Sequence, residues 1–566
     1  MYFFHIARSL LGPLAIALAS LVVPPASAQL VDTVLLNGKI MTLDPVMPRA
    51  EALAIRDGRI VAVGDAPTII AMTDVGTRKI DLGGRTVIPG LIDSHIHAIR
   101  AGLTFTTEVH WIGAQSLEEA LGRIRAASQN TPKGSWLVVA GGWTERQFKE
   151  ARKPTQAEIA AAAPDHHVYV QLLYSHVLLS PGSAEALGLT SNTDLVAKLK
   201  AETGPDEKPT GWWSGDNRAI SDTFNLLPKP SFEQQVAGTR AFFRTLNGLG
   251  VTGVLDPGGY NMPIEEYRPL FQLWRDRALT LRVVYSLCAP RRDHELEDFQ
   301  ALTSAMPMGF GDDWLRFNGI GENVTWGMYN NETPSEQQRA QLLKVLRWAA
   351  PRGLRATFHW HNQRSVHYLL DVLEQVNKET PLAGLHWSVA HLNDASPESL
   401  VRLKALGMGW LVQNAFYFRG EAFIGQRGVV AARLAPPIAT ALRLGLKVGG
   451  GTDAHRVMSY NPFVSLQWML DGKTVSGTPT RGPEERPTRE EALRIYTLGS
   501  AWFAGDDDKR GSLSVGKFAD LAVLSGDYFT MPAEKIGGLQ SVLTMVGGKI
   551  VYASGAYKAE ERASKP

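Results

Sequence analysis

From residue 87 onward, short apolar runs of β type alternate with amphipathic stretches of helical period. The strand candidates are Trp136–Ala140, Val168–Leu173, Gly253–Leu255, Leu281–Ser286, Leu315–Ile320, Arg355–His359, His386–His391, Trp410–Gln413 and Lys447–Gly450. Between them lie helical segments at 231–249, 335–352, 365–378 and 396–406, each opened by a serine suited to an N-cap. Ser231 with Gln234, and Ser335 with Gln338, have capping-box spacing. Pro397 falls at a first helical position, where proline is tolerated. This alternation predicts an α/β fold, a parallel (β/α)8 TIM-type barrel over residues 87–505. The candidates outnumber the strands such a barrel takes, so some belong elsewhere. Residues 195–230, with Pro205, Pro209, Trp212-Trp213 and Pro228-Lys229-Pro230, read as an insertion over the barrel mouth.

The two ends of the chain have a different pattern, short strands with tight turns. Asn37-Gly38 and Asp57-Gly58 are hairpin signals within residues 29–86, and Lys79–Val87 adds another. Gly511–Ser525 has a hairpin pattern, and Ser541–Ala553 has another turning at Gly547-Gly548. Strands of 506–566 are expected to pair with those of 29–86, making one composite β-sandwich domain from both chain ends.

Residues 1–28 read as a secretory signal: Arg8, an apolar core from Leu10 to Val23, and Ala26-Ser27-Ala28 before Gln29. A periplasmic or secreted protein is therefore expected, with no stable membrane insertion after cleavage. The remainder is long enough for a large barrel and a smaller unit. Among the 566 residues, 44% are apolar and 20% charged, as in a globular protein. A net charge of +2 offers no basic field for nucleic acid. The single Cys288 excludes an intrachain disulfide and a thiolate-rich metal site, so any metal rests on N and O ligands.

In a barrel of this kind the working groups stand at the C-terminal ends of strands. Val87-Ile-Pro-Gly-Leu-Ile-Asp-Ser ends in His95 and His97, which project to one side of a strand as half of a metal site. Leu315–Gly321 is followed by Glu322; Arg355–Phe358 by His359, with His361 two residues on; Leu385–Ala390 by His391; and Lys447–Thr452 by Asp453. Four histidines and two carboxylates converging from separate strands suit a two-metal centre with a bridging carboxylate. A metal-activated water is then the nucleophile, and Asp453 can move its proton to the leaving group. Bland roles stand beside these: Asp453 as a helix cap, His391 as a core histidine, Glu322 as a solvated side chain, His361 as a support for His359 or a substrate contact. His176, ending another strand, is a substrate-binding candidate. Trp143, Trp212, Trp213, Trp326 and Trp360 fall in loops expected at the mouth and point to an apolar or aromatic substrate, against packing roles for the same residues. Arg146, Arg364 and Arg456 are candidates to meet a substrate carboxylate, or simple surface charges.

As an ordered set these residues resemble the amidohydrolase superfamily, in its family 3 branch of N-substituted formamide deformylases and related N-acyl hydrolases. The matching stretches are Val87–His97, Gly141-Gly142-Trp143, Ser175-His176, His359 with Arg364, Ala390-His391, Thr452-Asp453-Ala454, Arg489–Ala492 with Tyr496-Thr497, Gly511–Leu521 and Val546–Lys549. The resemblance implies a metal-dependent (β/α)8 barrel with a composite sandwich. It implies His95 and His97 as ligands of one metal, His359 and His391 of a second, and Asp453 as ligand and catalytic base. Many relatives carry a lysine after the fourth strand, carboxylated to bridge the metals; Gly319-Ile320-Gly321-Glu322 has none. Either Glu322 bridges directly or the centre holds one metal. Asn362-Gln363 also departs from the Gly-Asp common in relatives.

The expectation is an exported hydrolase that cleaves an amide-type C–N bond of a small apolar or aromatic substrate. Its cofactor is one or two divalent ions, zinc first, with iron or manganese fitting the same ligands. Deamination, or lactone or carbamate hydrolysis, uses the same chemistry. A non-catalytic exported binding protein and a glycosidase are the readings from other classes, and the latter has no use for four converging histidines. Self-association is left open.

Overall fold

The computed structural model describes residues 31–259, 262–329 and 332–563, so the candidate signal at 1–28 lies outside the described residues. Eight parallel strands carry the architecture: β1 Leu91–Asp93, β2 Val251–Asp256, β3 Arg282–Leu287, β4 Leu315–Ile320, β5 Thr357–Trp360, β6 Ser388–His391, β7 Gly409–Gln413 and β8 Lys447–Gly451. They form two four-stranded sheets, ordered β4-β3-β2-β1 and β5-β6-β7-β8. At one seam Ile320 of β4 bridges Ala356, and the Ile320 amide donates to the Arg355 carbonyl at 2.9 Å. At the other, the Ser94 amide and hydroxyl donate to the Gly450 carbonyl at 2.9 and 2.8 Å. β2 is buried along its whole length, as expected for a strand covered on both faces.

The β1–β8 seam explains the three glycines of β8. A Cβ on Gly451 would lie 2.6 Å from the His95 Cβ, and one on Gly450 would lie 2.5 Å from the Tyr496 ring. A side chain at Gly451 would push the His95 strand away, and one at Gly450 would displace the Tyr496 ring.

Helices pack against the parallel strands. The capping boxes at Ser231/Gln234 and Ser335/Gln338 form, and Ser396 caps a helix that begins at Pro397. Ser365 stands at its helix start but its hydroxyl turns to the Asn362 carbonyl instead of capping. Helix Glu336–Ala349 buries Leu342, Val345 and Leu346, each contributing about 1.5–3 kcal/mol by leaving water.

Two expected strands lie outside this array. Trp136–Val139 and His167–Leu172 pair with each other in a mixed five-stranded sheet, which also holds His176–Leu179, Pro209–Ser214 and Lys200–Thr203. Helix Gln156–Ala162 connects the first two, so the local pattern is that of a β-α-β repeat and cannot be told from the main array by period alone.

At the chain ends, Leu521–Leu524 pairs antiparallel with Thr86–Pro89 in a six-stranded sheet, so N- and C-terminal segments share hydrogen bonds. This sheet and a four-stranded one, containing Thr33–Leu36 and Ala52–Arg56, bury one core that includes Leu35, Leu53, Val87, Leu521 and Leu543. Asp57-Gly58 and Gly547-Gly548 form the expected hairpin turns. Asn37-Gly38 does not: Thr33–Leu36 and Lys39–Met41 belong to different sheets, and the turn passes the chain from one to the other. Only Leu521–Leu524 of the expected 511–525 hairpin is strand.

Candidate metal centre

The six candidate ligands from the strand ends meet in one place. The Glu322 carboxylate is at its middle. Its Oε2 lies 3.2 Å from His95 Nε2, 3.0 Å from His359 Nδ1 and 3.6 Å from His391 Nε2, while Oε1 lies 3.5 Å from His97 Nε2. Asp453 Oδ1 is 3.2 Å from His97 Nε2 and 3.8 Å from His95 Nε2. His359 Nδ1 and His391 Nε2 stand 3.0 Å apart. All six groups are buried.

The backbone holds these side chains in position. Asp93, buried at the end of β1, accepts from the Thr452 hydroxyl at 2.6 Å and from the Thr452 and His95 amides at 3.1 Å. Burial pushes its carboxyl up to about 7, against those hydrogen bonds. The Asp453 amide donates to the His95 carbonyl at 2.7 Å, and the His359 amide to the Glu322 carbonyl at 3.1 Å. Asp453 and His391 have φ of +55° and +69°, left-handed positions that cost on the order of 1–3 kcal/mol each. His391 is fixed there by its amide bond to Gln413 Oε1 at 2.9 Å and by Trp410 Nε1, which donates to its carbonyl at 2.8 Å.

The donor set fits a divalent cation. His97 Nδ1 lies 2.9 Å from the Gly258 carbonyl and must donate to it, which turns Nε2 towards the oxygens of Asp453 and Glu322. A proton or a metal cation at Nε2 would meet those oxygens. His95 is fully buried, its Nε2 faces the Glu322 carboxylate at 3.2 Å, and its Nδ1 has no hydrogen-bond partner among the described residues. Burial opposes ionisation of Glu322, yet His359, His391 and His95 outweigh it and hold the carboxyl well below the usual range. Asp453 is likewise brought down to about 2 by His97, His391 and His95 against its burial. Burial and then His359 push His391 down to about 4. Three groups have donor atoms mutually within 4.8 Å: His95, His97 and Asp453; His95, Glu322 and His391; and His359, His361 and His391.

A cavity of about 590 Å³ opens onto this centre. His97, Glu322, His359, His361 and Asp453 form its floor, and Tyr329 stacks on His359 with ring centroids 4.2 Å apart. His361 faces the cavity and packs its ring against His391 at 4.3 Å; burial, then His391 and His359, hold it well below the usual imidazole range.

Other expected contacts are not at this cavity. His176 starts a strand of the mixed sheet, with Nε2 3.1 Å from Glu202, and does not line the cavity. Trp143 is buried against Trp111 and Phe148 and donates to the Gln171 carbonyl at 2.7 Å. Trp326 is half-buried and donates to the Ala289 carbonyl at 3.1 Å. Trp212 and Trp360 are also packing residues, so the tryptophans do not form the substrate wall. Tyr174, Ala415, Phe418, Val457 and Met458 do. Among arginines, Arg100, Arg218 and Arg419 line the cavity; Arg146, Arg364 and Arg456 do not. The missed residues stand on helices and loops beyond the strands, where reading strand ends gives no signal. Asp93 was within reach of the sequence, two residues before His95 in a run that is otherwise apolar.

A profile of the amidohydrolase family matches residues 78–552. The chain belongs to the amidohydrolase family and is a metal-dependent hydrolase with a TIM-barrel-type α/β fold. It is 26% identical to Protein LONG AFTER FAR-RED 3 of Arabidopsis thaliana, over 94% of this chain and 93% of that protein. It is 24% identical to the N-substituted formamide deformylase of Arthrobacter pascens, over 93% of this chain and 99% of the enzyme. Its fold is similar to that of a metal-dependent hydrolase from Pyrococcus horikoshii OT3, with a TM-score of 0.63 and 20% identity, over 89% of this chain and 99% of that one.

Proposed function

We propose that the protein hydrolyses an amide-type C–N bond of a small molecule at a centre of two divalent cations. The observation that carries this reading is the Glu322 carboxylate, whose Oε2 faces His95, His359 and His391 at 3.2, 3.0 and 3.6 Å and whose Oε1 faces His97 at 3.5 Å. His95, His97 and Asp453 would hold one cation, His359 and His391 the other, and Glu322 both. Zinc suits these imidazole and carboxylate donors. Such a cation lowers the pKa of water towards neutral and polarises a carbonyl oxygen.

The chain's own groups do the rest. Asp453, held ionised by the imidazoles around it, accepts a proton from the attacking water at a carboxylate oxygen. It then returns that proton to the leaving nitrogen, so that amide and water become carboxylic acid and amine. His97 is held by the Gly258 carbonyl in the tautomer that presents Nε2. Tyr329, Phe418 and Met458 exclude water around a bound substrate. Activity towards an N-substituted formamide, lost on chelation and restored by zinc, is the expected result; full activity without metal would end this reading.

The same proposal carries the wider architecture. The two parallel sheets close through their seams into one barrel over 87–505, and the paired chain ends make a sandwich from 29–86 and 506–566. The signal pattern at 1–28 supports export, and a mature protein starting at Gln29 on N-terminal sequencing is expected. No helix among the described residues is long and apolar enough to cross a membrane.

A further inference from the structure

Three arginines from three separate elements line the cavity above the metal centre: Arg100 on helix Ala98–Gly102, Arg218 on Asn217–Phe224 and Arg419 on Ala415–Arg433. None has a carboxylate within ion-pairing distance among the described residues. Asp216, an acid that also lines the cavity, uses Oδ1 to cap its helix through the Ala219 amide at 2.8 Å. Arg419 is reached by water within the cavity, yet its surroundings are crowded enough that desolvation lowers its guanidinium, with only Asp453 acting in the other direction. Arg100 is half-buried, with its guanidinium 6.0 Å from the centre of the Tyr174 ring. Burial works against its charge, and Tyr174, then Glu322 and Asp453, sustain it, so it lies close enough to feel the metal-binding carboxylates.

Arg218 and Arg419 are exposed where they border the cavity and Arg100 is half-buried, so all three guanidinium groups can be reached from it, and their planar forks match a carboxylate. The same cavity has an apolar side at Phe418, Val457 and Met458. A side chamber of about 110 Å³ shares Arg100 and Tyr174 with it and adds the apolar Leu103, Phe224 and Leu227 beside the charged Glu108, Lys229, Glu266 and Arg456. The wall therefore offers cationic and apolar surface together, next to the reacting centre.

We propose that the substrate is an organic anion, with a carboxylate held by Arg218 and Arg419, an apolar body against Phe418 and Met458, and Arg100 between the carboxylate and the metal centre. This rests on the hydrolase reading above and narrows its substrate class. It also moves the carboxylate contact away from Arg146, Arg364 and Arg456.

The test compares N-benzylformamide with two formamides that differ from it by one carboxylate, N-formylphenylglycine and 4-(formamidomethyl)benzoate. These place the charge near to and far from the scissile bond. Cleavage by the zinc-loaded protein is measured together with calorimetric binding to the metal-stripped protein, where no cation competes for the carboxylate. At least one charged formamide is expected to exceed the neutral one about ten-fold or more in kcat/KM and in binding, a factor typical of charge-assisted hydrogen bonds. In R218Q/R419Q the preference should fall to about two-fold or less, with metal content and melting temperature showing that the variant is folded. No preference in the wild type, or one that survives in the variant, overturns the inference while cleavage upholds the hydrolase. A binding preference that the variant loses, with no cleavage of any compound, upholds the inference and removes the formamide-cleaving reading. No binding and no cleavage removes both.

Discussion

The two halves of the metal centre are built differently. His95, His97 and Asp453 lie in a seam cross-linked by backbone: Asp93 gathers two amides and a hydroxyl, Asp453 bonds back to the His95 carbonyl, and Gly451 leaves no room beside His95. His359 and His391 are held on one side only. Their other side carries a third imidazole, His361, and the stacked Tyr329, and it borders the cavity. The first half is fixed by backbone bonds, whereas aromatic rings pack around the second, and both halves border the cavity through His97, Asp453 and His359. Glu322 is the group that belongs to both.

The largest effect should come from removing the proton carrier without changing its shape. Asp453→Asn is expected to lower kcat about 10²- to 10⁴-fold, measured by steady-state kinetics at matched metal content. Next is the half fixed by backbone bonds. Asp93→Asn weakens the acceptor of the Thr452 and His95 bonds and should cost about 10- to 100-fold in metal affinity or activity. Titration with a chelator while residual metal is followed should then separate the halves: the cation beside His359 leaves first, because His359, His391 and Glu322 would supply three ligands against four from His95, His97, Asp453 and Glu322, and the cation between His95 and His97 leaves later. Simultaneous loss would make the two halves equivalent. The smallest effect on activity belongs to a residue that the sequence placed at the mouth and the fold buries. Trp143→Phe removes the bond to the Gln171 carbonyl and should cost about 1–3 kcal/mol of stability, with kcat/KM unchanged.

The same contrast explains what the sequence made legible. Parallel strands end in their working groups, so an apolar run closed by His or Asp located His95, His97, Glu322, His359, His391 and Asp453, and the structure brings all six together. The pairing of the two chain ends could be foreseen because tight turns such as Asp57-Gly58 and Gly547-Gly548 mark themselves chemically. The cavity wall is another matter. Arg218 and Arg419 stand on helices far apart in sequence, and nothing in their local pattern says which exposed arginine faces a cavity and which faces bulk solvent. The tryptophans misled for the same reason: a large aromatic ring in a loop serves packing as well as recognition, and Trp143 and Trp212 found cores within the inserted sheet. Trp136–Val139 and His167–Leu172 have the period of strands in the main array but pair with each other, because partner choice is a long-range property.

The most direct test of the bridging role is elemental analysis of the purified, unchelated protein beside Glu322→Ala, both checked for folding. About two divalent ions per chain in the wild type, falling to one or none in the variant, is the result this account predicts. Equal metal in both, or none in a folded wild type, would contradict it.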